Sequence, residues 1–318
     1  MSDLQQVFKQ LQEQVDEIIV GQGTIVHQLL VAALTGGHVI LEGVPGTGKT
    51  LLVKVLAQLL HAQFRRVQLT PDVLPSDILG TNIFDFQTKD FTLKQGPVFT
   101  EILLADEINR TPPKTQSALL EAMQEGQVTL DGQSLPLPDF FWVVATQNPL
   151  EFEGTYPLPE AQLDRFLFKL AVNYPDKAAE RQMLLNVQQN QNPGQTGFQP
   201  GTIEPLASTA DLLAARSAIQ RVTVQNPLVE YLLNLVERTR QHPDLLLGAS
   251  PRAAVAWLEA AKTQAWLERR DYLTPDDLKT IAPPLLRHRL ILRPEAQLDG
   301  LNTDSIIAGV LGQVPVPR

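Results

Sequence analysis

The run Gly43-Val44-Pro45-Gly46-Thr47-Gly48-Lys49-Thr50 spells GxxxxGK[ST] between a short apolar stretch and a helical one. Glycines at these places let backbone N–H groups turn inward around a phosphate, and the N-terminus of the following helix adds partial positive charge. Lys49 is then set to bridge the β- and γ-phosphates of a nucleoside triphosphate, and the Thr50 hydroxyl to ligate Mg²⁺. A chance glycine-rich turn has no reason to carry Lys and Thr at those two positions.

Glu101-Ile102-Leu103-Leu104-Ala105-Asp106-Glu107 is an apolar run that ends in two acids. A buried strand ending beside a phosphate loop offers Asp106 to the Mg²⁺ shell and Glu107 to polarise an attacking water. The alternative, two acids that merely cap the next loop, loses weight because the phosphate loop lies upstream. A third apolar run, residues 142–147, ends at Asn148-Pro149. In a parallel sheet the carboxyl ends of strands line the ligand crevice, so Asn148 is placed either to orient water or touch the γ-phosphate, or simply to start a turn.

The elements that must position these residues can be read from periodicity. Leu4, Val7, Phe8, Leu11, Val15, Ile18 and Ile19 recur at spacings of three and four, which predicts an amphipathic helix over residues 3–19, and a second helix follows over 24–34. Strands are expected at HVILEG, FRRVQL, EILLAD and FFWVVATQ. A helix over 111–124 has Thr111 as N-cap, Pro112 in its first turn and Gly126 past its end. Strands alternating with helices imply a parallel sheet covered on both faces. Residues 70–99 and 127–139 read as β-hairpin insertions, the second turning at Asp131-Gly132.

The strand signal stops at KLAVNYP, which puts a domain boundary near 173–176 and divides the chain into residues 1–174 and 175–318. Residues 190–205, rich in Gln, Asn, Gly and Pro, read as a linker. Beyond it only helices are expected, with caps at Ser250-Pro251 and Thr274-Pro275.

Bulk properties narrow the function classes. The 318 residues, 43% hydrophobic, suffice for two buried cores. There is no cysteine, so disulfides and thiolate metal sites are excluded, and the five histidines show no HExxH spacing. The N-terminus lacks the basic start and apolar run of a signal peptide, and no apolar stretch approaches the roughly 20 residues of a membrane span, which points to the cytoplasm. The net charge of -9 argues against a broad cationic surface for nucleic acid or anionic lipid.

Taken together, GVPGTGKT, LLADEINR, VVATQNPLEFEGTYPLPEAQLDRF and GASPRA resemble the MoxR family of AAA+ ATPases across essentially the whole chain. The resemblance implies an α/β fold: a P-loop AAA+ core, with a parallel sheet between helices and β-hairpin insertions, plus a C-terminal all-helical lid. It also implies ATP and Mg²⁺ as ligands and a homo-oligomeric ring, commonly a hexamer, with each ATP at a subunit interface. By position Asn148 resembles sensor 1, Arg165 the arginine finger that reaches a neighbour's γ-phosphate, and Arg252 sensor 2, acting on its own subunit's site or a neighbour's. Surface ion pairs are the alternative for both arginines. Gly21 and Gln22 fall near the adenine by resemblance, or form a plain helix-connecting turn. Arg287, Arg289 and Arg293 contact a partner or form a solvated helix face and end.

The function implied is ATP-driven remodelling or maturation of protein partners, such as von Willebrand A domain proteins or proteins receiving a metal cofactor. A nucleic-acid translocase is the first competitor, and QVTLDGQSLPLPD weighs against it because it contains no Lys or Arg. A scaffold that binds ATP without turnover is the second, and it has no need of a water-polarising Glu107.

Overall fold

The computed structural model describes residues 3–87, 89–150, 154–189 and 203–317. Helix α1 (Asp3–Ile18) buries Phe8, Leu11 and Val15, the inner stripe of its amphipathic pattern. Helix α2 (Gly23–Thr35) stops at Gly36, and strand β1 (His38–Glu42) runs into the phosphate loop and helix α3 (Lys49–Leu59). Strand β2 (Phe64–Gln68), helix α4 (Pro75–Leu79) and the hairpin β3 (Gly80–Asp85) and β4 (Asp90–Gln95) come next. Strand β5 (Ile102–Asp106), a 3-10 turn at Ile108–Arg110 and helix α5 (Pro113–Glu125) lead to the second hairpin, β6 (Gln127–Leu130) and β7 (Gln133–Pro136). Strand β8 (Trp142–Gln147), helix α6 (Glu160–Leu163) and strand β9 (Phe166–Ala171) complete the sheet.

The rest is chiefly helical: α7 (Lys177–Gln189), α8 (Thr209–Ile219) and α9 (Asn226–Arg240), then strand β10 (Leu245–Leu247) and helices α10 (Pro251–Leu267) and α11 (Pro275–Leu286). Strand β11 (Ile291–Leu292), α12 (Pro294–Leu298) and α13 (Thr303–Gln313) close the chain. Ser250 caps α10 as expected, its Oγ accepting the Ala253 N–H at 3.0 Å. Among the described residues no helix is long and apolar enough to cross a membrane.

The sheet is parallel throughout, in the order β2-β5-β8-β1-β9. Its inner strands β5, β8 and β1 are buried almost throughout because both faces are covered, whereas the edge strand β2 carries Arg65 and Arg66. On one face Val39, Leu41, Leu104, Trp142, Val144 and Phe168 join a core shared with α1, α2, α3 and the C-terminal helices. On the other, Ile40, Leu103, Val143, Ala145 and Phe166 pack with α5 and the β6–β7 hairpin. The three strands that carry motifs, β5, β8 and β1, are neighbours, so their carboxyl ends converge.

Both hairpins form where expected, with Asp131 and Gly132 at φ 49° and 79° in the second turn. Two expectations need correction. The N-cap of α5 is Pro112 (φ -59°, ψ 152°), not Thr111: the Pro112-Pro113 pair fixes the extended-to-helical change one residue later and leaves the Thr111 hydroxyl buried without a hydrogen-bond partner. The C-terminal region is not all-helical, since β10 and β11 pair antiparallel. Three and two residues are too few for alternation to register in the sequence. Most of the expected linker, residues 190–202, lies outside the described residues, and only 203–205 can be placed.

Candidate active site

The phosphate loop leaves β1 against the end of β9. A Cβ on Gly43 would meet the Val172 carbonyl oxygen at 2.3 Å, so the loop can pass there only as glycine. Gly48 takes a left-handed φ of 81° and opens α3, which points its N-terminal N–H groups into the loop. Lys49 Nζ donates to the Gly43 and Val44 carbonyls at 2.7 and 2.8 Å. Burial lowers the Lys49 pKa, and the nearby Asp106 and Glu107 carboxylates pull it back up.

Asp106 and Glu107 end β5 beside this loop, each held by side chains remote in sequence or a turn away. Asp106 Oδ2 accepts from Arg66 Nη2 at 2.6 Å and Nε at 3.0 Å, while Oδ1 accepts from the Thr146 hydroxyl. Thr146 Oγ1 also accepts the Glu107 N–H at 2.9 Å, so β8 and β5 lock the two acids in register. Glu107 sits at φ 60°, ψ 52°, a left-handed conformation that costs about 1–2 kcal/mol for an L-residue and is typically tolerated at functional sites. Its Oε2 accepts from Arg110 Nη1 at 3.1 Å. Asn148 is buried, and its Oδ1 accepts the Leu150 N–H at 3.1 Å. Asn148 therefore both shapes the turn and lines the cleft.

These groups enclose a cleft of about 450 Å³ lined by Gly43, residues 45–50, Arg66, Asp106, Glu107 and Asn148. Inward-turned N–H groups, a lysine, a hydroxyl and two acids at one rim match the donor and acceptor set a Mg²⁺–triphosphate requires. Gly21 and Gln22 line a separate pocket of about 250 Å³ with Ala171, Asn173 and Tyr174. Gln22 Nε2 donates to the Asn173 carbonyl at 3.1 Å. The two cavities flank the same stretch of chain, since Gly43 abuts Val172 between Ala171 and Asn173.

Arg165 and Arg252 do not join the phosphate-loop cleft. They line another, of about 280 Å³, with His38, Asp164, Leu167 and Arg289. Neither guanidinium makes a hydrogen bond or ion pair with the other described residues. Beneath them His38 is buried, its Nε2–H donating to the Met123 carbonyl at 3.2 Å and its Nδ1 accepting the Val143 N–H at 3.0 Å. Burial, seconded by the Arg216 charge, holds its pKa down at about 4.

The basic triplet after α11 corrects a further expectation. Arg293 is exposed, but Arg289 is buried, with Nε donating to Asp164 Oδ1 at 2.7 Å. Arg287 pairs with Asp304 at 3.2 Å and donates to the Lys169 carbonyl at 3.3 Å. Helical periodicity marks such residues as an outer face, and only the fold brings β9 alongside. Sequence reasoning also missed Arg66, Arg110 and Thr146. The adjacent arginines of FRRVQL, unusual in a strand, were the one signal pointing to Arg66.

Residues 38–168 match the ATPase family associated with various cellular activities (AAA), and residues 237–310 match the AAA lid domain. The protein YeaC of Bacillus subtilis is 46% identical, over 99% of this chain and 96% of its own. Chaperone MoxR1 of Mycobacterium tuberculosis is 43% identical, over 96% of this chain and 81% of its own. The crystal structure of a "putative ATPase" from Cytophaga hutchinsonii superposes with a TM-score of 0.89 at 42% identity, over 99% of this chain and 96% of that one. With a phosphate loop, an acid-tipped β5 and a helical region behind them in one chain, and with relatives of this closeness along nearly its whole length, the protein belongs to the MoxR family of AAA+ ATPases.

Proposed function

We propose that this chain hydrolyses ATP in a ring of identical subunits, commonly six, where each phosphate-loop cleft is completed by Arg165 and Arg252 of the neighbouring copy. The observation that carries the reading is the separation of the two clefts, one holding the phosphate loop and both acids, the other two arginines without intrachain acceptors.

In this reading Lys49 exchanges the Gly43 and Val44 carbonyls for β- and γ-phosphate oxygens. Thr50 and Asp106 would hold Mg²⁺, whose charge offsets that of the phosphates, and Arg66 must release Asp106 for this. Asn148 orients a water and Glu107 accepts its proton. Arg165 meets the charge that builds on the γ-phosphoryl group, which makes turnover depend on assembly. Gly21 and Gln22 border the base, next to the end of β9.

The work done is remodelling or maturation of protein partners in the cytoplasm, a role in keeping with the relative named Chaperone MoxR1. Von Willebrand A domain proteins and proteins receiving a metal cofactor are the client classes the family offers. The β6–β7 hairpin carries no Lys or Arg, which disfavours tracking along nucleic acid. The test is phosphate release against protein concentration, with molar mass followed by light scattering. Specific activity that rises as larger species form supports the shared site, whereas equal activity in a protein that stays monomeric contradicts it.

A further inference from the structure

Arg165 occupies the short turn between α6 and β9, and its own N–H donates to the Gln162 carbonyl at 3.2 Å. The peptide carbonyls on either side of it are held from elsewhere. Arg289, just beyond α11, donates through Nη2 to the carbonyls of Asp164 at 3.4 Å and Phe166 at 2.7 Å. Its Nη1 donates to the carbonyls of Leu167 at 2.9 Å and Leu285 at 2.5 Å. Its Nε completes the set on the Asp164 carboxylate. The adjacent His288 donates Nε2–H to the same Phe166 carbonyl at 3.0 Å.

One guanidinium thus grips residues 164, 166 and 167, and the residue enclosed is Arg165. A planar fork with donors in fixed directions suits this task, and a lysine ammonium does not reproduce it. The Arg289 side chain is only 5% exposed, and a charge so enclosed persists only when its donors are matched. Burial lowers its pKa, Asp164 opposes that, and the Arg252 charge adds to it, which sets Arg252 close by. Sheet order supplies the reason for the contact: β9 is an edge strand, and the end of α11 covers it.

We propose that Arg289, together with Asp164, is the positioning residue for Arg165, fixing the turn that aims its guanidinium and tying that aim to α11 of the C-terminal helical region. The inference rests on the reading of Arg165 as the group that reaches a neighbouring copy's phosphates. It gives the ring a mechanical link: a displacement of α11 in one subunit moves Arg165, and with it the site of the next subunit.

The experiment is a double-mutant cycle on the full chain, with kcat and KM from phosphate release and nucleotide affinity from a fluorescent ATP analogue. Arg289→Gln is expected to lower kcat on the order of 10²-fold, the scale of a misaimed catalytic group, while leaving nucleotide affinity within about twofold. In an Arg165→Ala background it adds nothing further. Arg289→Lys, which keeps the charge but loses the fork, stays low. Independent, multiplying losses in the double variant, or wild-type turnover in Arg289→Lys, overturn the proposal. Should Arg289→Gln melt below the assay temperature, Asp164→Asn, which preserves shape and removes charge, runs the same cycle under the same criteria. Full turnover in Arg165→Ala alone is a separate result: it removes the reading of Arg165 itself and, with it, any catalytic role for the clamp.

Discussion

In the cleft at the ends of β1, β5 and β8, every motif charge already has an intramolecular partner: Lys49 on two carbonyls, Asp106 on Arg66, Glu107 on Arg110. In the cleft beside β9 and α10, Arg165 and Arg252 line one cavity and make no hydrogen bond or ion pair with the other described residues. In the proposed function the first cleft exchanges these internal partners for a ligand. The second carries Arg165 and Arg252 beside the paired Arg289 and Asp164, two guanidiniums left to attract an arriving anion. On that proposal the first cleft binds the triphosphate and the second offers positive charge to a neighbouring copy.

The largest expected effect breaks the second cleft alone. Arg165→Ala should reduce turnover by about 10³–10⁵-fold, the scale of an arginine finger, with nucleotide affinity nearly unchanged in a fluorescence titration. Parallel loss of affinity would make Arg165 a structural arginine. Glu107→Gln breaks the chemistry of the first cleft and should cost about 10²–10⁴-fold in kcat, again with ATP still bound. Unchanged turnover would remove Glu107 from water activation.

A smaller effect sharpens the account of the first cleft. Arg66→Ala frees Asp106, so the Mg²⁺ concentration for half-maximal turnover should fall a few-fold, a modest change because the Arg66 side chain is 46% exposed and screened by solvent. An unaltered Mg²⁺ dependence would mean that the two cations do not compete. His38, beneath the second cleft, gives the smallest effect on turnover and a visible one on stability. Its pKa is about 4 in the fold against 6.5 in the open chain, so unfolding takes up a proton at low pH. Its contribution is complete above pH 6.5 and is lost as pH falls toward 4, by about 3 kcal/mol in all. Urea unfolding across that range should be flatter for His38→Gln than for the parent chain. Equal slopes would assign the pH dependence to other groups.

How much of this was legible in the sequence follows from how local each feature is. GVPGTGKT and LLADE carry their chemistry in contiguous residues, and the fold needs only to bring β1 and β5 near, which β8 between them does. The hairpin at Asp131-Gly132 and the cap at Ser250 are local for the same reason. Arg66 and Asp106 lie 40 residues apart, and Arg289 and Asp164 125 apart, so no periodicity announces either pair. Thr111 misled because a good capping residue was followed by two prolines, whose fixed φ moved the helix start. The β10–β11 ribbon is too short to have a pattern, and its strands meet where α9 packs on β10 and Leu245 and Leu292 enter the shared core.

The central claim, that the two clefts meet across copies of the chain, is tested most directly by mixing two inactive variants. Glu107→Gln subunits keep Arg165, and Arg165→Ala subunits keep Glu107. If the site is shared, mixed assemblies regain phosphate release well above the sum of the separate variants, because a Glu107→Gln neighbour supplies the missing guanidinium. Activity no greater than that sum, in mixtures shown by light scattering to co-assemble, would contradict the account and place Arg165 outside the neighbour's site.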